Sequence, residues 1–400
     1  MKSVNRCLQP NFTVIADETT DCSTKSQFSI CLRYYDLRKH ILKDRFLAFV
    51  EVCETTGANL SREILTTLAQ CRINLADMRG QSYDGCSAMS GSFSGVQAII
   101  RENNDKAIYV HCVSHNLNLA LTHSSNDPMI RNAIGSIKEV GNFFGQSSKR
   151  TTLLADSCKA VFPDSKIHRL KTLCTTRWVE SHAVAVRFSE LYPAILAALD
   201  EASTKGDRRT TANAASLRAT ISTSGFIVAV VVLESVSALV LPLAKMLQQK
   251  NVDLQSALAL VDEVKDELQH RRSDIENEWD TLYQKALEKA EQAQVIISAP
   301  RLVGRQAFRA NVAATTPKEY YLRNSFIPYL DFIISELNGR FNDGKASVMP
   351  LQALVPFYTA KACFQDLQPA LNFYSSDLAD STQSVVESEF NRWKRRWLRV

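Results

Sequence analysis

The sequence has no paired cysteine spacings, no apolar run at its start and no large excess of either charge. Its ten cysteines are scattered along 400 residues. This excludes the disulfide framework of a small secreted domain and fits reduced thiols of the cytosol or nucleus. The opening MKSVNRCLQPNF has no apolar signal core. A net charge of +5 is too mild to identify a nucleic-acid partner by itself. Gly/Ser linkers, low-complexity tracts and internal repeats are also missing. What remains is a mixed-charge chain, 45% hydrophobic, long enough for two or three ordinary domains.

One stretch mimics a membrane span. GFIVAVVVLESVSALVLPLAKML, from Gly225 to Leu247, carries Glu234 near its middle, Ser235, Ser237 and Pro242. A charge at mid-bilayer is costly, so the stretch reads as a buried helix of a helical domain and no membrane is expected.

Periodicity changes along the chain. FTVIAD, SQFSICLRYYD and DRFLAFVEVCE, within residues 12 to about 53, are β-rich runs joined by short polar segments, which predicts an antiparallel meander. ANLSREILTTLAQCRI predicts a helix, with Asn59 or Ser61 as its N-cap. The stretch DMRGQSYDGCSAMSG, with a short fourth strand ahead of Asp84, a helix over 93–102, the strand AIYVHC and the helix VSHNLNLALTH follow. The order β-β-β-α-β-α-β-α is that of a ribonuclease H-like core, in which the first and fourth strands lie side by side. Beyond about residue 125 the spacing is helical. The fold class is therefore α/β plus all-α: a core over 10–125, a large all-helical extension over 126–380, and a basic amphipathic helix over 381–400. ISAPRLVGRQAFRANVAATTPKEYY is expected to be a loop.

Asp17 ends the first strand, with Glu18 and Asp21 close behind, and Asp84 follows the fourth. The topology brings Asp17 and Asp84 to one sheet edge. Two close carboxylates repel unless a cation lies between them, and hard oxygen ligands suit Mg²⁺ or Mn²⁺. Two such ions can clamp an in-line phosphoryl transfer. For Asp17 alone, a solvated strand end is the competing reading. Gly85 and the small residues after Asp84 leave room for a tight backbone beside a phosphate chain. HCVSHNLNLAL contains Cys112 and His115, a Cys-x-x-His. No second pair lies at finger spacing, so structural zinc is not expected. The element is either a locally satisfied helix start or a substrate contact beside the acids. In TTRWVES, Arg177 could hold phosphate and Trp178 could stack on a base, or both could simply pack. In the C-terminal EFNRWKRRWLRV, the spacing of Val386, Phe390, Trp393 and Trp397 predicts an amphipathic helix with a solvated basic face, with nucleic-acid contact there as the alternative.

IADETTD, SICLRYYD, GQSYDGCSAMSG, VHCVSHNLNLAL, CTTRWVES, PRLVGRQAFRAN and IPYLDFIISELNGRF occur in this order over residues 12–342. Together they resemble the hobo/Activator/Tam3 (hAT) transposase superfamily. The likeness is to its branch of zinc-finger MYM-type and repressor-of-the-inhibitor-of-protein-kinase-like proteins. The resemblance implies a ribonuclease H-like core with a helical insertion and metal-dependent DNA cleavage and strand transfer. It matches Asp17 to the first catalytic acid, Asp84 to the second, and Cys112 and His115 to a Cys-x-x-His near the active site. It also matches Trp178, preceded by Arg177, to a tryptophan that stacks on a flipped base.

Two family features are absent from the sequence: the third acid, in a Glu-Arg-Ser/Thr-Phe-Ser-type motif within the dimerisation region, and an N-terminal zinc-finger module. Glu387 and Glu389 are poor substitutes. The chain therefore reads as a fragment, a truncated gene model or a decayed copy. Two functions follow: a catalytically incomplete transposase descendant, or a domesticated, non-enzymatic DNA- or protein-binding regulator. DNA is the expected partner, Mg²⁺ or Mn²⁺ the expected cofactor of any activity, and the nucleus the expected compartment, with the cytoplasm as the alternative.

Overall fold

The computed structural model describes residues 8–20, 25–164, 170, 178–247, 249, 253–301, 312–342, 350–378 and 381–398. Five strands form one mixed sheet: β1 (Leu8–Thr20), β2 (Ser26–Asp36), β3 (Ile41–Val52), β4 (Met78–Ser82) and β5 (Ile108–Tyr109). Their spatial order is β3-β2-β1-β4-β5. β2 runs antiparallel to β1 and β3, while β1, β4 and β5 are parallel. Parallel neighbours need crossovers, and helices supply them: α1 (Gly57–Gln70), then α2 (Ser87–Ser90) and α3 (Val96–Asn103).

Strand alternation decides which face is covered. Phe12, Val14 and Ala16 of β1 and Phe28, Ile30, Leu32 and Tyr34 of β2 are buried. They share a core with Leu60, Ile64 and Leu68 of α1 and Val96 and Ile100 of α3. Each such aliphatic or aromatic side chain contributes roughly 1.5–3 kcal/mol on full burial. The alternate residues, including Thr13, Ile15 and Asp17 of β1 and Ser29, Cys31 and Arg33 of β2, line the opposite face. There Phe46 and Phe49 of β3 are 51% and 64% exposed, so no described element covers that part of the sheet.

Helix α1 begins three to five residues earlier than its candidate caps implied. Neither Asn59 nor Ser61 is the N-cap; Thr56 is, and its Oγ1 accepts a hydrogen bond from Asn59 N at 3.3 Å. The fifth strand is also shorter than AIYVHC suggested, with only Ile108–Tyr109 regular.

Two compact units emerge from the packing: Met1–Asn116 together with Asn342–Val400, and Leu117–Phe341. The boundaries expected from periodicity differ from these, because 342–380 joins the sheet's unit and not the helical one. Side chains explain the attachment. Arg79 Nε and Nη2 donate to Asp377 Oδ2 and Oδ1 at 2.7 and 2.8 Å. Lys106 donates to the Phe373 carbonyl, and its ammonium lies 4.8 Å from the centroid of the Phe373 ring.

The helical unit begins within α4 (Val113–Ser124). It continues through α5 (Pro128–Gly145), α6 (Ser148–Val161), α7 (Trp178–Glu190), α8 (Tyr192–Lys205), α9 (Arg208–Ile221) and α10 (Ser224–Leu247). α11 (Leu254–Ser273), α12 (Ile275–Gln292), α13 (Pro317–Tyr321) and α14 (Ile327–Asn342) follow. α13 lies in a segment expected to be all loop; Thr316 caps it by accepting from Glu319 N at 3.2 Å. The centre of that segment, with most of PRLVGRQAFRAN, lies outside the described residues. α10 is long and apolar enough to cross a membrane, but 67% of its most apolar window is buried in the protein. Residues Phe226 to Leu233 are buried without exception. Glu234 accepts a hydrogen bond from Ser189 Oγ of α7.

The C-terminal segment carries its own small core. Ala353, Phe364, Leu367, Ala370 and Phe390 are buried together, with Val386 packed against them. Here α15 (Pro356–Thr359), α16 (Phe364–Phe373) and α17 (Gln383–Trp397) meet. Trp393 Nε1 donates to Leu354 O at 3.0 Å, while Arg392, Arg395 and Arg396 are exposed.

Candidate functional site: an acid row at one sheet edge

Register places the candidate acids. β1 and β4 pair Thr13 with Gly80, Val14 with Gln81 and Ile15 with Ser82. Carried two residues past the last pair, the same register sets Asp17 level with Asp84. Residues paired across parallel strands point to the same face. Val14 and Gln81 are both buried, so Ile15 and Ser82, and Asp17 further along β1, belong to the opposite, open face, while Asp84 lies two residues past the end of β4. Neighbouring strands lie about 4.8 Å apart. Asp17 is exposed and Asp84 half-buried.

The register continues into the next strand. β4 and β5 pair Gly80 with Ile108 and Gln81 with Tyr109. Val110 N donates to Gln81 O at 2.8 Å, and Cys112 N to Tyr83 O at 3.4 Å. That ladder sets Cys112 level with Asp84. Asp17 of β1 thus shares one register level with Asp84 and Cys112, which lie just past the ends of β4 and β5. The sequence offers Cys112 and His115 beside the acids as one of two readings, and the level of Cys112 follows from the β4–β5 register.

Local bonds fix the row. Ser29 Oγ, across from Asp17 on β2, donates to the Asp17 carbonyl at 3.0 Å. Asp84 Oδ1 accepts from Cys86 N at 3.4 Å, and the Asp84 carbonyl accepts from Tyr109 Oη at 3.2 Å. Burial, followed by the hydrogen bond and charge of Asp84, pushes the Cys86 thiol up to about 11. Burial first, then the charges of Asp84, Cys86 and Cys112, push the Tyr109 phenol up as well. These groups therefore surround one half-buried hydroxyl.

The Cys-x-x-His element opens α4. The Cys112 carbonyl accepts from Asn116 N at 3.0 Å, which is an ordinary helix start. The ring of His115 lies 6.1 Å from that of His111, which is 5.9 Å from Tyr109, itself 6.0 Å from Tyr83. His115 thus ends an aromatic row behind the acids. Among the described residues, no group of three or more His, Cys, Asp or Glu side chains could hold a metal ion. Asp21 and Arg177 lie outside the described residues. Trp178 is the first residue of α7.

The small residues after Asp84 have a packing role. A Cβ on Gly57 would lie 2.1 Å from Ser94 O, and one on Gly95 2.4 Å from Gly91 N. Ser90 Oγ donates to the Gly85 and Cys86 carbonyls at 3.1 and 3.0 Å. The loop is closed on itself and on the start of α1, which accounts for Gly57, Gly91 and Gly95.

Residues 2–95 match a family model described as "ZMYM1/FAM200, RNase-like domain". The chain is also similar to the 52 kDa repressor of the inhibitor of the protein kinase from Homo sapiens, 25% identical over 395 residues. Its Mus musculus counterpart is 24% identical over 396 residues. Each alignment takes in 96% of this chain but only 51% and 52% of those proteins, so the chain spans about half the length of the curated relatives it matches.

Proposed function

We propose that the chain is a transposase-derived regulatory protein. On this reading its ribonuclease H-like sheet keeps a two-acid remnant of a metal-dependent nuclease site and binds DNA in the nucleus without completing cleavage. One argument carries the reading: the β1–β4 register, extended two residues beyond its last pair, sets Asp17 and Asp84, 67 positions apart in sequence, at one level. The strand order and directions, an antiparallel half with parallel strands added beside β1, support the ribonuclease H-like assignment. The RNase-like family match and the repressor relatives support the regulatory one.

The donor set fits a hard divalent cation. Mg²⁺ is commonly held by one or two carboxylates, with water and phosphate oxygens completing its shell. Asp17 and Asp84 would hold it, and the ion would supply charge neutralisation for a phosphate group. Asp84 is steadied by Cys86 N and Tyr109 Oη, while Cys112 and His115 flank the row on the β5 side. Two carboxylates hold such an ion weakly and leave phosphoryl transfer under-stabilised, since each missing electrostatic contact costs about 10²–10³ in rate.

The test is Mn²⁺ binding to the full chain, measured by titration, with duplex DNA nicking assayed in parallel. Binding is expected in the parent protein and loss in Asp17→Asn and Asp84→Asn, without nicking in any of them. Unchanged Mn²⁺ binding in both variants would overturn the site. Nicking that both substitutions abolish would replace the regulatory reading with a catalytic one.

A further inference from the structure

The helical unit contains a groove that the acid row does not explain. It encloses about 420 Å³ between α10, α11 and α12, within the usual range for small-molecule sites. Val231, Leu239 and Leu282 form its apolar lining, and Glu234, Arg271 and Lys285 its charged one.

The charged groups are unevenly committed. Arg271 is held in place: Nε donates to Glu267 Oε1 at 2.9 Å and Nη1 to Ser235 Oγ at 3.0 Å. Glu234 accepts from Ser189 Oγ, and the Ser189 carbonyl accepts from Lys289 Nζ at 2.8 Å. The carboxylate of the groove therefore has a hydroxyl donor and a nearby cation on its protein side. Lys285 is exposed at the groove. Pro242 adds a further feature. It lies inside α10 and has no N–H, so the carbonyl of Ala238, four residues earlier, lacks its helical donor. Ala238 is exposed and lines the groove.

We propose that this groove binds a small amphiphilic anion. The apolar body lies on Val231, Leu239 and Leu282. Its carboxylate or sulfonate sits between Arg271 and Lys285, and an N–H or O–H of the ligand donates to the Ala238 carbonyl. The combination of an apolar floor with a positioned guanidinium and an ammonium selects charge sign as well as hydrophobicity. The inference is independent of the acid row.

Anilinonaphthalene sulfonate, which combines an apolar ring system, an N–H and an anion, serves as the probe on the full chain. Saturable fluorescence is expected, displaced by decanoate and not by decyltrimethylammonium. Lys285→Glu should weaken binding by about tenfold or more, as expected when an attractive charge becomes repulsive at an ionic contact. Ala238→Phe should remove binding by filling the groove. Both positions are exposed, and unchanged melting curves would show that the variants fold; if Ala238→Phe does not fold, Lys285→Glu alone decides. Phe49→Ser, on the open sheet face, should leave binding unchanged. Full affinity in Lys285→Glu, equal displacement by the ammonium, or loss of the signal in Phe49→Ser would overturn the proposal.

Discussion

Arg79 and Asp377 are joined by a two-pronged ion pair although 298 residues separate them in sequence. Their side chains are 22% and 29% exposed, so solvent screens the pair only in part. Planar guanidinium–carboxylate pairing of this kind is directional as well as attractive. It fixes the segment after Asn342 to the start of β4.

Asp377→Ala should therefore lower stability by about 1–2 kcal/mol. Limited proteolysis should cut the C-terminal segment faster in the variant. A double-mutant cycle with Arg79→Ala should return most of the loss as coupling, and an additive cycle would show that the contact contributes nothing.

Asp84→Asn should change a neighbouring thiol. Burial and the Asp84 carboxylate together hold the Cys86 thiol at about 11. Without the negative charge the thiolate is less disfavoured, so the Cys86 value falls, while burial still keeps it above an ordinary cysteine. Iodoacetamide labelling followed by mass spectrometry should show Cys86 reacting faster in Asp84→Asn between pH 8 and about 10. An unchanged pH profile would separate the two groups.

The β2–β3 turn supplies an acid-sensitive contact. A hydrogen bond from Lys43, then the backbone N–H groups of Lys39 and Arg38, hold the Asp36 carboxyl below its usual range. A depressed value means that the stabilisation is complete above the unfolded carboxyl value of about 3.9 and is lost as pH falls through the lower folded value. Asp36→Asn should flatten that part of the acid-unfolding curve. The same slope in both proteins would place the acid sensitivity elsewhere.

Two glycine replacements should move stability in opposite directions. Gly57→Ala puts a methyl group against the Ser94 and Ala88 carbonyls, which are backbone and cannot swing away. A loss of about 1–3 kcal/mol is expected from such overpacking. Gly135, inside α5, has open space at its Cβ position, and Gly135→Ala should gain up to about 1 kcal/mol. Thermal melts of the two variants test both signs.

The strands were legible because alternation is local, and the placing of the fourth strand beside the first because parallel neighbours need a crossover. Asp17 and Asp84 could be brought together on paper from element order alone. The cap of α1 was not legible: Asn59 and Ser61 are as good chemically as Thr56, and only the backbone geometry selects among them. The attachment of Asp377 to Arg79 was invisible because helical spacing near residue 377 describes a face but not its partner. Of the glycines after Asp84, Gly91 and Gly95 are explained by their close approach to each other. The match of Cys112 to Asp84 was available from counting but needed the β4–β5 register to be known first.

The unit that contains the sheet is assembled from both sequence ends, with Leu117–Phe341 between them. During synthesis the strands therefore leave the ribosome long before Asp377 exists. Arg79 and Lys106 must wait, solvated, until the helical residues have been made. Joining the ends across so long an excursion costs conformational entropy, though only logarithmically in its length. Early compaction of the helical residues shortens the effective tether, so the order in which the two units mature sets how promptly the first one is completed.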